Sequence, residues 1–149
     1  MPHPNAGGLR VLAFVIGVFI VCMGLGKLGW FADSGLLASE LRGWREFAPA
    51  VSRWYLDMVV IPGAPLFARL VAMGELVSGA ALIVGYRVRL AALLALLMVL
   101  NFHVAMGLIF QTAYLTNGYA LPVVGGLAAL AIGGRRLPFG LDTWFSVHR

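Results

Sequence analysis

Residues 70–85 read LVAMGELVSGAALIVG, and every residue in the stretch except Glu75 is apolar or small. It lies inside a longer apolar run, 66–86, about the length of a helix that crosses a ~30 Å hydrocarbon layer. A charged side chain at the centre of such a helix costs about 3 kcal/mol on insertion scales. Each Leu, Ile, Phe or Val returns roughly 0.3–0.6 kcal/mol. The Leu, Phe, Val and Ile residues of 66–86 nearly balance the cost, so the run inserts once Glu75 packs against neighbours. Glu75 shares a helical face with Ala68, Ala72 and Gly79, with Ser78 beside it. A face of small residues lets a second helix come close, which directs the carboxylate into a bundle and away from lipid.

The rest of the chain agrees with a membrane reading. Of 149 residues, 61% are hydrophobic and 11% charged, and mean hydropathy is +0.92. Soluble proteins carry about 25% charged residues, and a chain this short cannot enclose so much apolar side chain in a water-facing globule. The net charge of +5 comes from arginines beside the apolar runs. Topology and lipid head groups account for them, and no helix-turn-helix, zinc finger or basic stripe points to nucleic acid. Cys22 is the lone cysteine, which excludes an internal disulfide, a CxxC pair and a CxxCH haem site. It reads as a small packing residue.

Four runs are long enough to span: 10–30, 66–86, 90–110 and 117–134. No small-x-small cleavage site follows the first, which reads as a retained signal anchor. The expected fold is all-α, a single transmembrane domain over 1–149 built as a four-helix bundle. Arg10, Arg87, Arg89, Arg135, Arg136 and Arg149 fall on one side; Arg42, Arg45, Arg53 and Arg69, with Lys27 at a helix end, fall on the other. The positive-inside rule then puts both termini in the cytoplasm and residues 31–65 outside.

That outer connection has its own pattern. Leu37, Leu41, Trp44, Ala48, Val51, Tyr55 and Met58 recur at alternating spacings of four and three, one apolar stripe of a helix. Asp33 or Ser34 can cap its start, Pro49 should split it, and IPGAP at 61–65 ends it. The expectation is an amphipathic helical cover over the outer mouth of the bundle. Trp30, Trp44, Trp54 and Tyr55 read as an outer aromatic belt, and Trp144 as an inner one.

Few polar side chains lie at depth: Lys27, Glu75, Asn101 and His103. At the helical rise, Glu75 and Asn101 each lie ~14 Å from the outer ends of their runs, His103 ~10 Å and Lys27 ~5 Å. Asn101 and His103 are ~200° apart around one helix, so they cannot both face Glu75. Two readings stand for this group. One is a buried clamp, with Glu75 bonded to Lys27 or Asn101 and fixing helix register. The other is a site for a small polar head group such as a quinone carbonyl, with Glu75 as the catalytic proton carrier and Lys27, Asn101 and His103 as binding residues. His103 has no HxxxH or HxxE partner, so no metal site is expected.

Three segments carry a resemblance. GELVSGAALIVGYRVRLAALLALLMVLNFHVA (74–105), GLGKLGW (24–30) and FGLDTWF (139–145) are similar, in order and spacing, to the DoxX family of small membrane proteins. The resemblance implies a four-helix bundle in the bacterial cytoplasmic membrane. It also implies kinship with subunits of thiosulfate:quinone oxidoreductase and with partners of soluble redox enzymes. Lys27, Glu75 and Asn101 are the positions that carry over; His103 does not. No thiosulfate-handling domain and no cysteine placed for sulfur transfer accompanies them. The leading expectation is therefore a membrane subunit of a quinone-linked redox system, with electrons supplied by a partner protein. The alternative is a non-catalytic scaffold whose cover docks a partner. Small faces such as Gly125–Gly126 would serve folding or a homo-oligomer equally well.

Overall fold

The computed structural model describes residues 6–135 and 137–147; Arg136 and Arg149, counted above in the basic tail, lie outside them. In lipid the backbone must satisfy its own hydrogen bonds, so long apolar runs become helices. The described residues contain no strand. Three helices are long and apolar enough to cross a membrane: α1 (Ala6–Leu25), α5 (Ala64–Val84) and α6 (Val88–Ala105). Between α1 and α5 lie α2 (Gly29–Ala32), α3 (Ser34–Phe47), α4 (Ala50–Tyr55) and a π-helical turn, Leu56–Val60. Two 3-10 turns, Leu108–Phe110 and Thr112–Thr116, lead to a shorter apolar helix, α7 (Leu121–Gly133), and the chain closes with α8 (Leu141–Val147).

The helix ends differ from the apolar runs for local reasons. α1 stops at Leu25, and a tight turn carries Lys27 before α2. α6 stops at Ala105 because Gly107 takes a left-handed φ of 71°, a conformation that ends helices, so the apolar residues up to Phe110 continue as a 3-10 turn. α7 starts late because Ala120 is non-helical and Pro122 sits in the first turn, where its missing N–H costs nothing.

α1 packs on α5, α5 on α6, α6 on α7 and α7 on α1, a closed circuit of helices. The tightest approach is α1 on α5. A Cβ added at Gly17 would stand 2.8 Å from the Gly79 carbonyl oxygen, and one at Gly79 would stand 2.9 Å from that of Gly17. Ala68, Ala72, Glu75, Ser78 and Gly79 are all buried on that face. Only 28–39% of each spanning window is buried, and Val11, Val15, Leu70, Val77, Leu93 and Leu97 face outward. Outward Val and Leu with an inward Glu is the reverse of a water-soluble helix and suits a hydrocarbon surround.

One end is basic and tied to helix termini. Arg10 donates to the carbonyl oxygens of Leu82 and Ile83 at the C-terminus of α5, and Arg89 to that of Ala131 near the end of α7. Cations there complete carbonyls the helix cannot satisfy. The Asp142 carboxylate accepts from the Arg87 N–H at 2.7 Å, supporting an arginine held at a left-handed φ of 44°.

The cover lies over the other end, with its stripe out of phase with the expectation past Pro49. Leu37, Leu41 and Ala48 are buried as read from the spacing, but the next inward residues are Ser52, Leu56 and Val60. Val51 and Met58 face outward at 61% and 65% exposure. Ala48 and Pro49 are extended (ψ 146° and 163°), so the chain advances without turning and the helical phase slips by one residue. Asp33 caps α3 by accepting from the Gly35 N–H. Trp30 is buried, and Trp44 packs edge-on to Phe102, so these two rings fill the cover's underside instead of forming an outer belt; Trp54 and Trp144 are exposed. Cys22 is also exposed, outside the core packing expected of it.

Gly79→Ala should lower stability in detergent micelles by about 1–3 kcal/mol, because its Cβ meets backbone atoms that cannot yield. Gly125→Ala, with nothing within 4 Å, should be neutral or slightly stabilising. Thermal unfolding of the two variants side by side checks the pair.

Candidate functional site

The turn after α1 aims Lys27 back across α5. Lys27 N–H donates to the Gly24 carbonyl, and Gly26 N–H to that of Cys22, closing the turn. Gly24 lets α5 approach: a Cβ there would lie 3.1 Å from Glu75 Cβ. The Lys27 Nζ then sits 2.8 Å from both oxygens of Glu75. Its further contact is the Met23 carbonyl at 3.4 Å. Both side chains are nearly removed from solvent, at 11% and 6% exposure. The Trp30 and Phe102 rings lie 5.8 and 5.2 Å from the ammonium, shielding the pair and adding cation–π attraction. Two charges away from water repay their desolvation only in such close geometry.

The other two candidates are elsewhere. Asn101 Oδ1 accepts from the Tyr55 hydroxyl at 2.5 Å. His103 Nδ1 lies 3.1 Å from the Tyr114 hydroxyl, its ring edge-on to that tyrosine. Thus Lys27 and Glu75 meet, Asn101 turns to Tyr55 of the cover, and His103 faces the 3-10 turns. Tyr55 reached this group unannounced, because its spacing marked it as an anchoring aromatic. A tyrosine body on an apolar face with its hydroxyl aimed at a buried amide is the only sequence-level hint.

The cover is bolted above this region. Ser52 donates to the Val104 carbonyl at 2.6 Å, and the Pro49 ring packs on Gly107, where a Cβ would meet it at 2.3 Å. The π-helical turn that follows Tyr55, a geometry common near functional sites, is tied to α3 by the Arg45–Asp57 ion pair.

Asn101 also lines an open cavity of about 520 Å³ between α5 and α6. Its walls are almost all apolar, including Phe67, Leu70, Val71, Val77, Leu94, Leu97 and Met98. Asn101 marks the end under the cover, and Tyr86 and Arg87 mark the opposite end; Lys27 and Glu75 do not line it. With Oδ1 held by Tyr55, the Asn101 amide N–H groups have no hydrogen-bond partner among the described residues. The groove therefore offers a donor at the end of an apolar channel.

Two measurements probe these bonds. Lys27→Met or Glu75→Leu alone should cost about 3–5 kcal/mol, since each leaves a buried charge unpaired, whereas the double variant should recover most of the loss. A double variant as unstable as the sum of the singles would mean the pair is not coupled. On the cover, hydrogen bonding from Arg45 holds the Asp57 carboxyl below the usual aspartate range. A depressed folded-state value gives stability that is present above the ordinary value and lost as pH falls through the depressed one. The thermal midpoints of the native chain and Asp57→Asn should therefore differ at neutral pH and converge in acid, below about pH 4.

Comparison with known proteins follows the same outline. A family model described as DoxX matches residues 8–108, from α1 through α6, a stretch that contains Lys27, Glu75, Asn101 and His103. The segment 139–145 lies beyond the matched residues. No curated protein and no solved structure matches. With well over half its length covered, including the helices that form and cover the Lys27–Glu75 pair, this chain is a multi-pass membrane protein of the DoxX family.

Proposed function

We propose that this chain is the membrane subunit of a quinone-linked redox system and receives a quinone-type head group at the Asn101 end of the groove between α5 and α6. The observation that carries the reading is the Asn101 amide: an unpartnered donor, oriented by Tyr55, at the end of an apolar groove of ligand size. A carbonyl oxygen arriving there would accept from Asn101. The apolar walls would exclude water and hold a hydrophobic tail. Electrons would come from a partner protein, in keeping with a chain whose single cysteine rules out a thiol pair. Lys27 and Glu75 act as the adjoining clamp, since both carboxylate oxygens are already on the ammonium. His103, bonded to Tyr114, falls outside the head-group site.

In this reading α7 completes a four-helix bundle in the bacterial cytoplasmic membrane. The end bearing Arg10, Arg87, Arg89 and Arg135 faces the cytoplasm with both termini, and the cover faces outward.

Binding of decyl-benzoquinone to the protein in lipid nanodiscs tests the proposal. The native chain should bind it, and Asn101→Leu should weaken binding about tenfold, the loss of roughly one hydrogen bond. Equal affinity of the two proteins, or no binding to the native chain, would contradict it. A second reading, a scaffold that docks a partner, draws on the outward row Phe47, Val51, Trp54 and Met58 on the cover. It predicts a stoichiometric partner that Trp54→Ser releases, with no response to quinone.

A further inference from the structure

The end of the groove opposite Asn101 has a different chemistry. There the turn between α5 and α6 places Tyr86 and Arg87 at the mouth of the apolar channel. Arg10 and Arg89, at the same end of the molecule, are committed to helix carbonyls. The Arg87 side chain is exposed and has no acidic partner among the described residues; its one recorded neighbour is the Tyr86 ring, 6.0 Å away. Asp142 bonds the Arg87 backbone N–H and so occupies the N-terminus of α6, leaving the guanidinium as the group available to an anion. The backbone of Arg87 is left-handed, a conformation that glycine or asparagine adopts with less strain. An arginine is a costly choice for that turn unless its side chain is used.

We propose that this end binds an anionic phospholipid, with its phosphate on the Arg87 guanidinium and an acyl chain along the groove toward Asn101. A guanidinium presents paired N–H donors that match phosphate oxygens. The lining residues Leu90, Ala91, Leu94, Ala81 and Val77 offer hydrocarbon and no competing charge. From the Arg87 turn to Asn101 the α6 axis runs ~20 Å, about two-thirds of a ~30 Å hydrocarbon core, so a chain spanning one leaflet fits within its length. The head group lies at the turn, where a membrane surface belongs, and the chain runs inward. This site stands on Arg87 and the groove and does not require the quinone reading. The two ligands would share the middle of the groove and exclude one another.

Native mass spectrometry of the full-length protein released from nanodiscs of mixed phosphatidylglycerol and phosphatidylcholine tests it. The native chain should retain phosphatidylglycerol over phosphatidylcholine by about fivefold, near the attraction of one arginine for an anionic lipid. Arg87→Asn keeps a residue suited to the left-handed turn and should abolish the preference. Leu94→Trp, which fills the groove with Arg87 intact, should reduce retention of both lipids. Arg135→Gln, an exposed arginine that does not line the groove, should leave the preference in place. Equal retention of the two lipids by the native chain would overturn the site. So would a preference that survives Arg87→Asn, or one lost equally in Arg135→Gln, which would reduce it to general surface charge.

Discussion

The contact between Lys27 and Glu75 is the constraint around which the cover-side half of this protein is arranged. A carboxylate in the middle of α5 is tolerable in hydrocarbon only if a cation reaches it and water does not. Each local feature nearby serves that condition. Gly24 brings α1 within reach of Glu75, the turn after Leu25 swings the ammonium inward, and Trp30 and Phe102 close over it. The glycine-on-glycine crossing of Gly17 and Gly79 further along sets the helix spacing that makes the reach short enough. Attraction between apolar helices is weak when lipid is equally apolar, so close packing and a buried polar bond are what give α1 and α5 a fixed register.

The cover depends on the same arrangement. Its underside, Leu37, Leu41, Leu56 and Val60, packs with Trp30, Ala68 and Val71 into one apolar cluster above the ion pair. Pro49 interrupts the helical phase, and the π-helical turn then begins where Tyr55 points at Asn101. The result is an amide whose oxygen is bonded to Tyr55 and whose N–H groups have no partner among the described residues. The groove ends thus differ in kind: an oriented neutral donor under the cover, an unpaired cation at the far turn.

Much of this was legible from residue order. The small face of α5 announced the direction of Glu75, and Lys27 and Asn101 were the two partners its depth allowed. The DoxX resemblance, read from motif order, agrees with the family match over 8–108. What escaped the sequence was geometry set by tertiary packing. Spacing alone carried the cover's stripe straight through Pro49, although two extended residues shift it by one position. Hydropathy ran the third span to Phe110, although the left-handed φ of Gly107 stops the helix at Ala105. Trp30 and Trp44 have the composition of membrane anchors, and only the packing of the cover on the bundle decides that they turn inward. The Tyr55–Asn101 bond joins residues far apart in sequence, with no periodicity to link them.

Lys27 is the only lysine in the chain, which makes its pairing directly measurable. Solid-state NMR of the protein in lipid bilayers, with isotope-labelled lysine Nζ and glutamate Cδ, reads the dipolar coupling between the two. Nζ at 2.8 Å from both carboxylate oxygens predicts strong coupling to the Glu75 carboxyl carbon, absent in Glu75→Gln samples labelled the same way. A lysine signal with no coupling to any glutamate carbon in bilayers would contradict the account, because the contact that fixes α1 on α5 would not exist in the membrane.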